Sequence, residues 1–139
     1  MKKLFVALLG VGAMCMTACS ASQSASESSG ALKSKGYTVS VYNETETKAR
    51  IQQAHYDGVK LINSLFAEKG TGEDHDFLLA FFFDSIDEAS KFTSKENNYN
   101  LGLMLDYASA NLGKNLEKKV GTHNNVAYCG SAAAFNIAF

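Results

Sequence analysis

The chain has no proline and no tryptophan among its 139 residues. Without proline every backbone amide past the first can donate to a helix or a sheet ladder, and prolyl isomerisation is excluded as a slow folding step. There is no excess of positive charge: 13 Lys and Arg face 14 Asp and Glu. That balance argues against nucleic acid and against a polybasic membrane-surface patch. No apolar run approaches the roughly 20 residues of a membrane-spanning helix; the 13 residues Leu4 to Met16 form a run well short of it. Motifs of acyl transfer and nucleotide binding are missing too. There is no Gly-x-Ser-x-Gly and no Gly-x-Gly-x-x-Gly, and Gly70-Thr71-Gly72 is too short to cradle a phosphate. No internal repeat is evident.

What is present begins at the amino terminus. Lys2 and Lys3 precede the apolar run, which ends in Met16-Thr17-Ala18-Cys19. A basic start, a short apolar core and small residues at a cleavage point are the layout of an export signal. With its Cys, the segment resembles the lipobox of bacterial lipoproteins. The resemblance implies that residues 1–18 are a signal peptide cleaved before Cys19. It also implies a thioether-linked diacylglycerol on Cys19 and an acylated amino terminus. Stable anchoring takes more than one acyl chain, and this pattern supplies two or three. Ser20 stands where Asp signals inner-membrane retention, which implies the outer membrane, on its periplasmic or surface face. An ordinary cleaved signal, cut after Ala18 or Ala21, is the alternative.

The 120 residues from Ser20 onward suffice for one small domain. Loss of Lys2 and Lys3 leaves 11 basic residues against 14 acidic ones, a net charge of −3. Cys129 is then the one remaining thiol, without an internal disulfide partner, and reads as a small buried hydrophobe.

Residues 19–34 read as the lipidated Cys and a disordered tether. Seven of the fifteen residues from Ser20 to Ser34 are Ser, and Leu32 is the only bulky apolar one. Such a tether has a mean reach of about 20 Å. The domain is expected over 35–139. Tyr37 to Tyr42 alternates as a half-buried strand. Asn43 caps a helix, with Glu46 in capping-box spacing. Ile51, Ala54, Val59, Ile62, Leu65 and Phe66 extend that helix to Lys69, with Gly58 inside it and Gly70 as its stop. Phe77 to Phe83 is seven apolar residues without a break and predicts a central strand covered on both faces. Ser85-Ile86-Asp87-Glu88 opens a short helix to about Ser94. A third helix spans Leu101 to Lys119, with Gly102, Asp106, Ser109 and Gly113 on a face that is either solvated or receives another helix. Gly121 to Asn125 turns, Val126 to Cys129 is a strand, and Gly130-Ser131 turns into a last strand ending at Phe139. The expected class is α+β: about four strands in the order β-α-β-α-α-β-β, helices mainly on one face, and a right-handed crossover if the first two strands are parallel.

Candidate chemistry is thin. His123 and Cys129 on one extended strand would lie about 20 Å apart, at 3.3 Å per residue, where proton transfer needs about 3 Å. Glu73-Asp74-His75-Asp76, with His55 and Asp57, offers oxygen and imidazole ligands but no zinc spacing. Phe135, Ile137 and Phe139 resemble the terminal strand of an outer-membrane barrel, yet the smallest barrel needs eight strands. Tyr37-Thr38-Val39 with its helix, then Phe77 to Phe83 with Ser85-Ile86-Asp87-Glu88-Ala89, resembles SPOR domains over residues 37–92. That resemblance implies a ferredoxin-like fold and a peptidoglycan partner.

The resulting expectation is a lipid-anchored, non-catalytic envelope protein. Lipid on Cys19 attaches it to the membrane, and a small domain binds another envelope protein or the cell wall. No cofactor, metal or catalytic residue is expected. The alternatives are a small envelope hydrolase working through carboxylates or His, and a small-ligand carrier with a pocket between the Tyr- and Phe-rich sheet and the helices.

Overall fold

The computed structural model describes residues 22–94 and 98–139. Cys15, Cys19 and the signal region lie outside these residues. The fold is α+β; among the described residues the helices and strands follow the order α-β-α-β-β-α-α-β-β-α, with a 3-10 turn, Gly72–Asp74, between the second and third strands. Among the described residues no helix is long and apolar enough to cross a membrane.

Helix α1, Ala25–Ser34, occupies most of the stretch expected as a tether. Ser24 caps it by accepting from the Glu27 amide. Ala25, Ser28, Ser29 and Leu32 are its buried residues, one helical stripe at i, i+3, i+4 and i+7. Three of the four are small, so the stripe does not look apolar in sequence, yet the helix can lie close on the sheet. The packed domain therefore begins ten residues before Lys35. Gly36, at φ 92°, ends the helix in the left-handed region.

Strand β1, Thr38–Asn43, runs directly into helix α2, Glu44–Arg50. The expected capping box is present: Asn43 Oδ1 accepts from the Glu46 amide at 2.8 Å and Glu46 Oε1 from the Asn43 amide at 2.9 Å. The helix stops after seven residues. What was expected as its continuation is a loop over 51–60 and then strand β2, Leu61–Lys69. Gly58 is a turn residue at φ 75°, not an interior helix residue. The apolar pattern of 61–69 fits a strand as well as a helix. Leu65 and Ala67 point to one face of the sheet and Phe66 to the other, so pairing with both neighbours decides.

Strand β3, Asp76–Phe83, is buried along its whole length, as its unbroken apolar run predicts. Helix α3, Ile86–Ser94, follows, with Ser85 Oγ accepting from the Glu88 amide at 3.2 Å. Helix α4 is Tyr99–Asn111; against the Leu101–Lys119 reading it begins slightly earlier and ends well short, at Asn111. Strands β4, Lys118–His123, and β5, Val126–Ser131, form a hairpin whose two-residue turn is Asn124-Asn125, with Asn124 at φ 52°. Gly130 and Ser131, expected as a turn, end strand β5, and the expected last strand to Phe139 is instead helix α5, Ala132–Ala138. Ser131 Oγ caps it by accepting from the Ala134 amide at 2.9 Å. Phe135 and Phe139 alternate in sequence but also stand at i, i+4, and their rings meet at 5.4 Å.

The sheet has five strands, not four, in the order β1-β2-β3-β5-β4, and every neighbouring pair is antiparallel. The first two strands thus need no crossover; β3 and β4, each antiparallel to β5 between them, run parallel to one another and are joined through α3 and α4, a split βαβ unit. Helices cover both faces rather than mainly one. Phe77, Leu79, Phe81 and Phe83 face α3 and α4, whereas Leu78, Ala80 and Phe82 face α1 and α5. One polar cluster is buried with the second core. Asp76 accepts hydrogen bonds from the Tyr37 hydroxyl at 2.6 Å and from the Ser131 hydroxyl, so it joins the α1–β1 link to the cap of α5. Burial, then the bond to Asp76, raises the Tyr37 pKa.

Candidate functional site

A cleft of about 600 Å³ opens between α2 and α4 over the first sheet face. Phe66, Leu79 and Phe81 form its floor, and Ile51, Leu103 and Met104 line its sides. The loop after α2 is held by Asn100. Its side-chain amide donates to the carbonyls of His55 and Phe92 at 2.8 Å each, and its oxygen accepts from the His55 amide at 2.8 Å. Beside it, His55 stacks on Tyr99 with centroids 4.1 Å apart. Phe92 braces the floor through rings of Phe81 and Phe83, each at 5.0 Å.

The polar groups of the cleft are few and placed at its margin and floor. Arg50 lies over the Tyr42 ring at 4.2 Å. No carboxylate pairs with it among the described residues. Asp106 and Asn111 of α4 also line the cleft. On the floor, the hydroxyls of Thr47 and Ser64 share a 2.7 Å hydrogen bond, and both side chains are buried. Among the described residues lining the cleft there is one carboxylate, one guanidinium and neither imidazole nor thiol. The phenols of Tyr42 and Tyr107 line it as well, and this set can bind and orient a ligand.

The groups singled out in the sequence are dispersed. His123 and Cys129 fall on adjacent strands but on opposite faces. Cys129 belongs to the core beneath α3 and α4, whereas the His123 ring sits 5.5 Å from Phe135 and 5.8 Å from Phe139. Burial pushes the Cys129 thiol up to about 12. Cys129 is accordingly expected to resist alkylation near neutral pH until the domain unfolds. His123→Ala should leave its rate unchanged; a native rate that is fast and lost in His123→Ala would contradict this placement.

Residues 73–76 are each engaged separately. Glu73 pairs with Lys114 at 2.9 Å, Asp74 accepts from Asn115 at 3.0 Å, and Asp76 holds Tyr37 and Ser131. Among the described residues no three His, Cys, Asp or Glu side chains gather as metal ligands. Asp57 lies in a second, shallower depression with Lys48, Lys60 and Lys91.

His75 has a distinct arrangement. Nδ1 is 2.8 Å from the Asn111 carbonyl at the end of α4, and Nε2 is 3.1 Å from the Glu68 carboxylate on β2. Both partners only accept, so the doubly protonated imidazolium is the form that satisfies both. The bond to Asn111, then that to Glu68, raises the His75 pKa above 6.5. The linked stability is fully present below the unfolded value and is lost as pH rises through the folded value. Thermal stability should therefore fall in part as pH rises from the ordinary value of 6.5 through the raised folded value, with His75→Gln removing that part. A wild-type profile parallel to that of His75→Gln would contradict the linkage.

Comparison of the chain with family models, curated proteins and solved structures finds no match. The cleft was not legible as a site in sequence, since its lining comes from residues 42–54, 64–81 and 92–111. The one available signal was the density of Tyr and Phe in the sheet.

Proposed function

We propose that this chain is a lipid-anchored cell-envelope protein, attached to the outer membrane through Cys19, whose α+β domain is a non-catalytic binding module. The cleft of about 600 Å³ carries the binding half of this reading. Ligand sites are concave and mostly apolar, with a few placed polar groups, and this cleft has that composition. Among the binding partners considered, it favours a small ligand over a flat protein contact. The ligand has an apolar body for the Phe66, Leu79 and Phe81 floor and one anionic group for Arg50. A lipobox-like segment at Met16-Thr17-Ala18-Cys19 supports the anchoring half.

Two measurements test the two halves. Anilinonaphthalene sulfonate, an apolar body with one anionic group, is expected to bind the natively folded domain at one saturable site. Arg50→Ala should weaken it about tenfold, the loss of one charge-assisted hydrogen bond. Leu103→Glu, which puts a charge of the probe's own sign into the apolar side wall, should abolish it. Non-saturable binding, or affinity unmoved by both variants, would rule the cleft out. Separately, Cys19→Ser should abolish acyl labelling and membrane fractionation; retention of both would rule out the anchor.

A further inference from the structure

The described chain starts out pinned. The Gln23 amide donates to Asn125 Oδ1 at 2.6 Å, and the Gln23 carbonyl accepts from Asn125 Nδ2 at 3.1 Å. Nδ2 also donates to the Phe83 carbonyl at 3.0 Å, and the Phe83 amide donates to the Asn125 carbonyl at 2.9 Å. Asn125 is buried in the β4–β5 turn. Residue 23 is thus tied to the end of the sheet where β3 finishes. Three residues, 20–22, separate it from Cys19. Four residue steps span at most about 14 Å when fully extended. The headgroup layer on each side of a bilayer is roughly 5–8 Å thick, half the difference between total and hydrocarbon thickness. A fifteen-residue flexible tether would have left the domain free to turn; α1 removes that freedom.

The same end carries exposed apolar side chains. Ile62, at the start of β2, is 50% exposed and Ile86, at the start of α3, is 47% exposed. Both are tied to the Phe83 end: Leu61 pairs with Phe83, and the Asp84 amide donates to the Lys60 carbonyl. The Phe83 end also exposes Lys60, Asp84 and Asp87; the opposite end of the sheet, loops 70–75 and 112–117, is likewise charged but exposes no large apolar side chain. We propose that the Phe83 end of the sheet is the membrane-facing surface of the lipidated protein. Ile62 and Ile86 sit in the headgroup layer, and the Gln23–Asn125 clamp sets the distance. The acyl chains supply the affinity and the two isoleucines the orientation. This proposal rests on the Cys19 anchor.

The test uses the full-length lipidated protein in phosphatidylethanolamine–phosphatidylglycerol vesicles that contain a headgroup quencher. A fluorophore is placed through Ile62→Cys, Ile86→Cys or Thr71→Cys. Thr71 lies at the far end of β3, whose length is about 25 Å at 3.3 Å per residue. Quenching at positions 62 and 86 should exceed that at 71 at least threefold. Ten Gly and Ser residues inserted between Ser20 and Ala21 lengthen the connection ahead of the clamp and leave the fold untouched. They should bring positions 62 and 86 down to the level of 71. Equal quenching at all three positions in acyl-labelled protein would overturn the membrane-facing surface alone, as would quenching unmoved by the insert. Absence of acyl labelling would overturn the anchor, and the surface with it.

Discussion

Phe81→Ala is expected to lower the stability of the domain by about 3–5 kcal/mol, the range for removing a buried aromatic ring. Phe81 sits on the central strand and is 1% exposed. Its ring packs 5.0 Å from that of Phe92, and its strand partners are Ser64 and Ala127, neither large enough to fill the space it leaves. The loss would be a large share of the roughly 5–15 kcal/mol that holds a small domain together. Urea unfolding checks it: the midpoint should drop with the slope unchanged. A loss below about 1 kcal/mol would show that the ring is not part of the packed core.

Gly130→Ala should be the other severe change. A Cβ at Gly130 would lie 2.2 Å from the Phe77 carbonyl oxygen and 2.9 Å from Leu78 Cα. These are backbone atoms of β3, so no side-chain rotation relieves the overlap. The strand pair must shift, next to the Asp76–Ser131 bond and the cap of α5. Overpacking typically costs about 1–3 kcal/mol and more where the backbone has to move. Gly102→Ala is the matched contrast. Gly102 lies inside α4 with nothing within 4 Å of its added Cβ, and Ala there should stabilise by up to about 1 kcal/mol. One chemical change would then have opposite signs at two sites. Similar midpoints for both variants would contradict the packing of β5 on β3.

Another pair of glycines shows where the sequence stops being informative. Gly102 and Gly113 fall on one face of small residues, and that face could have been solvated or packed. Gly102, Asp106 and Ser109 are exposed, while Gly113 is buried against the backbone of Glu73 and His75. Nothing local separates the two glycines; a loop forty residues away does.

Some features needed only the sequence. Phe77 to Phe83 has no polar residue to turn outward, so a strand there must be covered on both faces. Asn43 with Glu46, and Ser85 ahead of Glu88, place capping side chains within three residues of the amides they accept from, and both helix starts follow. The α+β class follows from these strongly marked elements. Other features were decided by the tertiary structure. Residues 61–69 and 132–138 carry apolar spacings compatible with both a strand and a helix; pairing on two sides selects the first, and the Ser131 cap with packing on Tyr128 selects the second. Residues 25–34 are too polar to read as a helix, because burying Ala and Ser is favourable only when a sheet face lies close enough to meet them. The cleft, and the clamp that ties Gln23 to Asn125, join residues far apart in the chain. Local sequence sets which conformations are cheap, whereas burial and hydrogen bonding between distant segments choose among them.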